Sequence, residues 1–238
     1  MTPGAASDDP NLAQLGVVAT VLGELCASLV FVGGCAAGLL VTAARAQRIR
    51  VTADVDLVAE VATARAYHRM EAALQARGLT HDLSPDAPIC RWLCKGVTVD
   101  LMPSEPGVLG FHNHWYPLAF ETAREIQLPS GQSIRLIHAP LFIATKLEAF
   151  KGRGNADYMM SHDLEDIMTV VDGRVELIEE MRSMPEDLLR YLSDEFTQLI
   201  NDPALIEALP GHLPGDIASQ RRLPELLNRL RTLSSLAR

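Results

Sequence analysis

The sequence lacks any apolar run approaching the roughly 20 uncharged residues that a bilayer span requires, so no membrane-crossing helix is expected. Bases are in deficit: 21 Lys and Arg stand against 30 Asp and Glu, a net charge of −9. That balance excludes a surface that holds nucleic acid non-specifically all over. Cysteine is sparse, at positions 26, 35, 90 and 94, and the C-x-x-x-C spacing of the last two matches no strong zinc pattern. Buried, reduced thiols are the expectation. The opening "MTPGAASDDPN" is small and acidic rather than a basic stretch before an apolar core, so a cytoplasmic protein is expected. Also missing are a P-loop, a dinucleotide-binding fingerprint, a Ser-His-Asp arrangement, internal repeats and a low-complexity linker.

What is present suffices for one substantial core or two modest domains, since 48% of the 238 residues are hydrophobic. Residues 11–27 read as a helix, "SLVFVGG" as a buried strand ending in a glycine turn, and "AAGLLVTAARAQ" as a second helix. "IRVTADVDLVAE" alternates and is β-branched, which predicts a strand. "ARAYHRMEAALQARG" is an amphipathic helix closed by Gly78. "APICRWLCKGVTVDLMP" predicts a hairpin about Lys95-Gly96. With a two-residue turn, Arg91 pairs with Asp100 and Leu93 with Thr98 on one face, while Trp92, Val99 and Leu101 share the other. A further strand, "QSIRLIHAP", precedes the helix "LFIATKLEAFKGRG". From Ser161 onward the pattern is helical, broken by Pro185, Pro203, Pro210, Pro214 and Pro224. The expected architecture is a mixed α/β core over residues 1–140 followed by a helical region over 141–238.

On the "TADVDL" strand, side chains two apart share a face, so Asp54 and Asp56 project together while Val55 and Leu57 enter the core. Two adjacent carboxylates repel and call for a cation. Magnesium (or manganese) takes hard oxygen ligands from a few carboxylates plus substrate phosphates. Asp100, on a neighbouring strand, is the candidate third carboxylate. Such a set suits metals that stabilise the attacking and leaving oxygens of an in-line displacement. Gly33 and Gly34 leave backbone amides open to close approach by phosphate oxygens, although a Gly-Gly after a strand also reads as a plain turn. Thr52 shares the face of the two aspartates and either touches the substrate or orients Asp54.

Strand, Gly-Gly, helix, and then a strand bearing Asp-x-Asp resembles the nucleotidyltransferase fold of the DNA polymerase β type. Within it the chain is similar to the AbiEii/AbiGii-type toxins of bacterial abortive-infection and toxin–antitoxin systems. Two later segments carry that likeness: "KLEAFKGR", Lys146 to Arg153, matches K-x-x-A-x-x-x-R, and "DLED", Asp163 to Asp166, matches D-x-x-D. The resemblance spans roughly residues 28–175. It implies magnesium-dependent transfer of a nucleoside monophosphate from a nucleoside triphosphate to an acceptor, which in that family can be the 3′ end of tRNA, and a cognate antitoxin as partner. In the implied roles Asp54, Asp56 and Asp100 hold the metals, with Asp100 alternatively the base for the acceptor hydroxyl. Gly33, Gly34, Lys146 and Arg153 bind the triphosphate, and Asp163 and Asp166 position nucleotide or acceptor.

Each later segment also has a plain reading. Lys146 and Arg153 share a helix face that would otherwise be a solvated surface. Asp163 and Asp166 follow Ser161 and complement a helix dipole. The basic groups Arg45, Arg48 and Arg50 could likewise be surface or phosphate-binding, and His112 and His114 read as loop residues beside Trp115 rather than metal ligands. A same-fold enzyme with a small-molecule (aminoglycoside-like) or protein hydroxyl acceptor, and a non-catalytic nucleotide-binding module, are the alternatives.

Overall fold

The computed structural model of the chain describes residues 9–43, 49–110, 112–153 and 157–237. Arg45, Arg48 and the side chain of Arg153 lie outside the described residues. The fold is mixed α/β, with a seven-stranded mixed sheet and helices following it toward the C-terminus. In chain order the elements are α1 (Leu12–Leu22), β1 (Leu29–Val32), α2 (Ala37–Leu40), β2 (Asp54–Ala59), α3 (Ala64–Ala76) and β3 (Thr80–His81). Then follow β4 (Arg91–Cys94), β5 (Val97–Pro103), α4 (Tyr116–Thr122), β6 (Arg124–Gln127), β7 (Ser133–Leu136) and α5 (Ala139–Arg153). The remainder is α6 (His162–Gly173), α7 (Leu177–Arg182), α8 (Glu186–Asn201), α9 (Pro203–Ala208), α10 (Ile217–Gln220) and α11 (Leu223–Ser234). No helix among the described residues is long and apolar enough to cross a membrane.

Two compact units divide these elements. Residues 9–36 and 50–138 form the first; residues 37–43, 49 and 139–237 belong to the second. Residues 37–43 and 49 thus group with the helical unit, and the sheet unit resumes at residue 50.

In the first unit the strand order is β3-β4-β5-β2-β1-β7-β6. β1 runs antiparallel to β2 and parallel to β7, and β2 runs parallel to β5. All four residues of β1, "LVFV", are buried, as a central strand covered on both faces requires. The β4–β5 hairpin has the expected register, with Arg91 opposite Asp100, Trp92 opposite Val99 and Leu93 opposite Thr98. Its two turn residues, Lys95 and Gly96, both have positive φ (48° and 84°), the conformation that matches the right-handed twist of a tight hairpin. Trp92, Val99 and Leu101 are fully buried on the apolar face, together with Val55 and Leu57 of β2.

Several elements differ from expectation for local reasons. The helix expected over 11–27 ends at Leu22, where Gly23 adopts φ 54° and the Arg77 guanidinium takes the Leu22 carbonyl; a 3₁₀ turn, Gly23–Ser28, continues from there. The helix expected over "AAGLLVTAARAQ" stops at Leu40 within its described part, because the N–H groups of Thr42 and Ala43 turn aside to donate to the Gly173 carbonyl, at 3.0 and 2.8 Å; the rest of that segment lies outside the described residues. Strand β2 begins only at Asp54, since Thr52 is diverted to α1. The sequence gives no signal for β3, which is two residues long, or for β6, "REIQ", which carries a single apolar residue.

The second unit is a helical assembly. Its core includes Phe142, Leu147, Ile167, Leu192, Phe196 and Leu230, all nearly or fully buried. Three of the five prolines expected to break it do so by starting α-helices: Pro185 is the N-cap of α8, Pro203 opens α9 and Pro224 lies in the first turn of α11. There the missing N–H costs nothing, because the first N–H groups of a helix have no intrahelical acceptor.

Candidate metal centre

The parallel pairing of β2 with β5 sets Asp56 directly opposite Asp100, and Asp54 lies two residues back on the same face of β2. One carboxylate oxygen from each of Asp54, Asp56 and Asp100 lies within 4.8 Å of the other two. Asp54 and Asp56 are half-buried and Asp100 is 8% exposed. This is the one group of three or more potential metal ligands among the described residues. Like charges placed directly opposite on a sheet destabilise it. A donor set made only of carboxylate oxygens fits a hard divalent cation, magnesium or manganese.

Next to the acids, Gly33 is needed for a reason other than turn formation. Its φ is 68°, and a Cβ built there would lie 1.7 Å from Oδ2 of Asp56. The aspartate therefore rests against bare backbone at the end of β1. Gly34 is buried and opens a short 3₁₀ turn, Gly34–Ala36, tied by the Ala36 N–H donating to the Gly33 carbonyl at 3.1 Å. Thr52 is 5% exposed and already engaged. Its N–H donates to Asn11 Oδ1 at 3.0 Å, its hydroxyl accepts from Gln14 Nε2 at 2.9 Å, and that hydroxyl donates to the Asp54 carbonyl at 3.1 Å. Of the two sequence readings the structure favours the orienting one: Thr52 fixes the entry of β2 to α1. Neither Asn11 nor Gln14 was singled out from the sequence, where about forty residues separate them from Thr52 with no spacing signal.

Arg91 completes the row across the sheet. Its Nε donates to Asp100 Oδ1 at 2.8 Å and its Nη2 to Asp100 Oδ2 at 2.7 Å, a two-pronged pair. The same Nη2 lies 3.5 Å from Asp54 Oδ2. The hydrogen bond to Asp100 pushes the Arg91 pKa further up, so its charge is permanent. Cys90, one residue earlier and buried, has its thiol pushed up to about 12, first by burial and then by the negative charge of Asp100. It is an uncharged thiol at neutral pH. All four cysteines are buried and none forms a disulfide, as expected.

The two later motifs meet in the second unit. Lys146 Nζ, on α5, is 3.0 Å from Asp163 Oδ1 and 2.7 Å from Asp166 Oδ2, both on α6, and all three side chains are below 10% exposed. Lys146 is thus no solvated surface lysine; it is a buried cation held between two carboxylates. Ser161 caps α6 by accepting from the Leu164 N–H at 3.3 Å, so Asp163 also stands in the helix's first turn. Helical spacing placed Lys146 on one face and the two aspartates on another, but could not show that the faces meet. Arg153 closes α5, its side chain outside the description. His112 and His114 are exposed, and His114 stacks edge-on against Trp115 with ring centres 4.7 Å apart. Comparison with protein-family models and with curated proteins gives no match for this chain.

Proposed function

We propose that the chain is a metal-dependent nucleotidyltransferase of the AbiEii/AbiGii type. It transfers a nucleoside monophosphate from a nucleoside triphosphate to an RNA acceptor, with the tRNA 3′ end as the first to test. One observation carries the reading: three carboxylates from two neighbouring parallel strands converge to within 4.8 Å beside a glycine that keeps the approach clear. Asp54, Asp56 and Asp100 would hold magnesium or manganese, which supplies charge neutralisation at the attacking and leaving oxygens of an in-line displacement. Gly33 keeps the Asp56 carboxylate seated against the backbone, and Thr52 fixes the start of the strand that carries Asp54. Asp100 would take the proton of an acceptor hydroxyl when it is not itself a ligand. A cytoplasmic setting, and an antitoxin that opposes the activity, belong to the same proposal.

The test is incorporation of each α-labelled nucleoside triphosphate into total tRNA by purified protein with magnesium, beside the Asp54→Ala, Asp56→Ala double variant. Label transferred by the wild type alone is expected, and it identifies the base. Magnesium-dependent triphosphate binding without transfer to RNA moves the search to small-molecule or protein hydroxyls. Absence of triphosphate binding overturns the enzyme reading.

A further inference from the structure

Sheet pairing puts four residues in one line across the strands: Val32 of β1, Asp56 of β2, Asp100 of β5 and Arg91 of β4. The line ends in a cation whose guanidinium reaches two of the three candidate metal ligands. Both oxygens of Asp100 accept from it, and Asp54 Oδ2 lies 3.5 Å from the same Nη2. The Arg91 side chain is 26% exposed, against 33% for Asp54 and 11% for Asp100, so this pair is neither a loose surface contact nor sealed away from entering ions. The fork geometry makes it one of the stronger kinds of ion pair.

We propose that Arg91 is a built-in competitor for the metal centre: it offsets part of the negative charge of the acidic cluster when no metal is bound, and a divalent cation must loosen it to reach Asp54 and Asp100. This rests on the metal-centre reading above and concerns how that centre is regulated. Without a cation, three carboxylates within 4.8 Å repel one another. A fixed guanidinium relieves that repulsion at a cost: the lone pairs it occupies are withdrawn from the metal. The centre therefore holds a divalent ion weakly when nothing else accompanies it. It fills when a further ligand adds enough favourable contact to outweigh the lost fork.

The experiment is a titration of the full-length protein with Mn2+ alone, without nucleotide, read by the loss of the free-ion electron paramagnetic resonance signal. Wild type, Arg91→Gln, Arg91→Lys and Asp56→Asn are compared, with circular dichroism confirming that each is folded. The expected result is Mn2+ binding about tenfold tighter in Arg91→Gln than in wild type, and a smaller tightening in Arg91→Lys, which keeps the charge but loses the fork. Unchanged or weaker binding in Arg91→Gln overturns the proposal and makes Arg91 a residue that positions Asp100 for the metal. If Arg91→Gln fails to fold, Arg91→Lys decides by the same sign. Asp56→Asn separates this failure from failure of the underlying reading. Binding lost in Asp56→Asn with no change in the Arg91 variants sinks the competitor alone. Equal binding in Asp56→Asn and wild type, or no binding in any protein, sinks the metal centre itself.

Discussion

Single atoms set the strictest demands in this protein. Gly33 combines a positive φ with a neighbouring carboxylate 1.7 Å from where a methyl group would sit. Left-handed backbone costs an L-residue about 1–2 kcal/mol. The displaced carboxylate adds to that, so Gly33→Ala is expected to lose roughly 2 kcal/mol or more in urea unfolding. It should also bind Mn2+ more weakly, because Asp56 can keep its place only if β1 gives way. Wild-type values for both quantities would show that Asp56 has other room. The Gly-Gly was visible in the sequence, but not its reason: the glycine makes space for a side chain twenty-three residues later as well as for a turn.

At the scale of elements, the α5–α6 contact is made through Lys146 and its two aspartates. Burying one cation with two anions is costly, yet removing only the cation is worse, because it leaves two carboxylates without their counter-charge. Lys146→Met is expected to destabilise the protein by about 3–5 kcal/mol. The triple variant Lys146→Met, Asp163→Asn, Asp166→Asn should recover part of that loss, as measured by chemical denaturation. Equal losses in single and triple variants would mean that the lysine's stem, not its charge, matters.

Legibility follows how close in sequence the determining partners lie. The hairpin could be read residue by residue, because alternation, a Lys-Gly turn and cross-strand pairing all act within thirteen residues. The same alternation puts Asp54 and Asp56 on one face, whereas the β2–β5 pairing that brings Asp100 beside them is long-range. The early ends of α1 and α2 could not be read. Both depend on distant partners, the Arg77 guanidinium at Leu22 and the Gly173 carbonyl at Thr42 and Ala43. Nor could the meeting of Lys146 with Asp163 and Asp166 be read, since helical spacing gives faces but not neighbours.

For the molecule as a whole, pH dependence follows from thiols buried in the sheet unit. Burial pushes Cys26 up to about 11 and Cys90 up to about 12, from an ordinary value of 9.0. Folding therefore holds these thiols protonated where the unfolded chain would ionise. Their contribution is fully present below pH 9 and is lost as pH rises from there toward each folded-state value, by about 1.4 kcal/mol per pH unit for each thiol. Urea unfolding at pH 8, 9 and 10 should show that alkaline decline, and the Cys26→Ala, Cys90→Ala double variant should decline less steeply. Parallel declines would place the alkaline sensitivity in other groups.

The line of Val32, Asp56, Asp100 and Arg91 has a meaning for folding as well as for chemistry. Side chains alternate along a strand, so a slip of β2 by one residue would turn Asp54 and Asp56 onto the face now filled by Val55 and Leu57. Two carboxylates would then enter the apolar layer formed by Trp92, Val99 and Leu101, at a desolvation cost far above that of exchanging one apolar residue for another. Hydrophobic strands such as "LVFV" tolerate misalignment, because one apolar residue replaces another. The acids do not, so the residues proposed to hold a metal also serve as a proofreading key for how its central strands align.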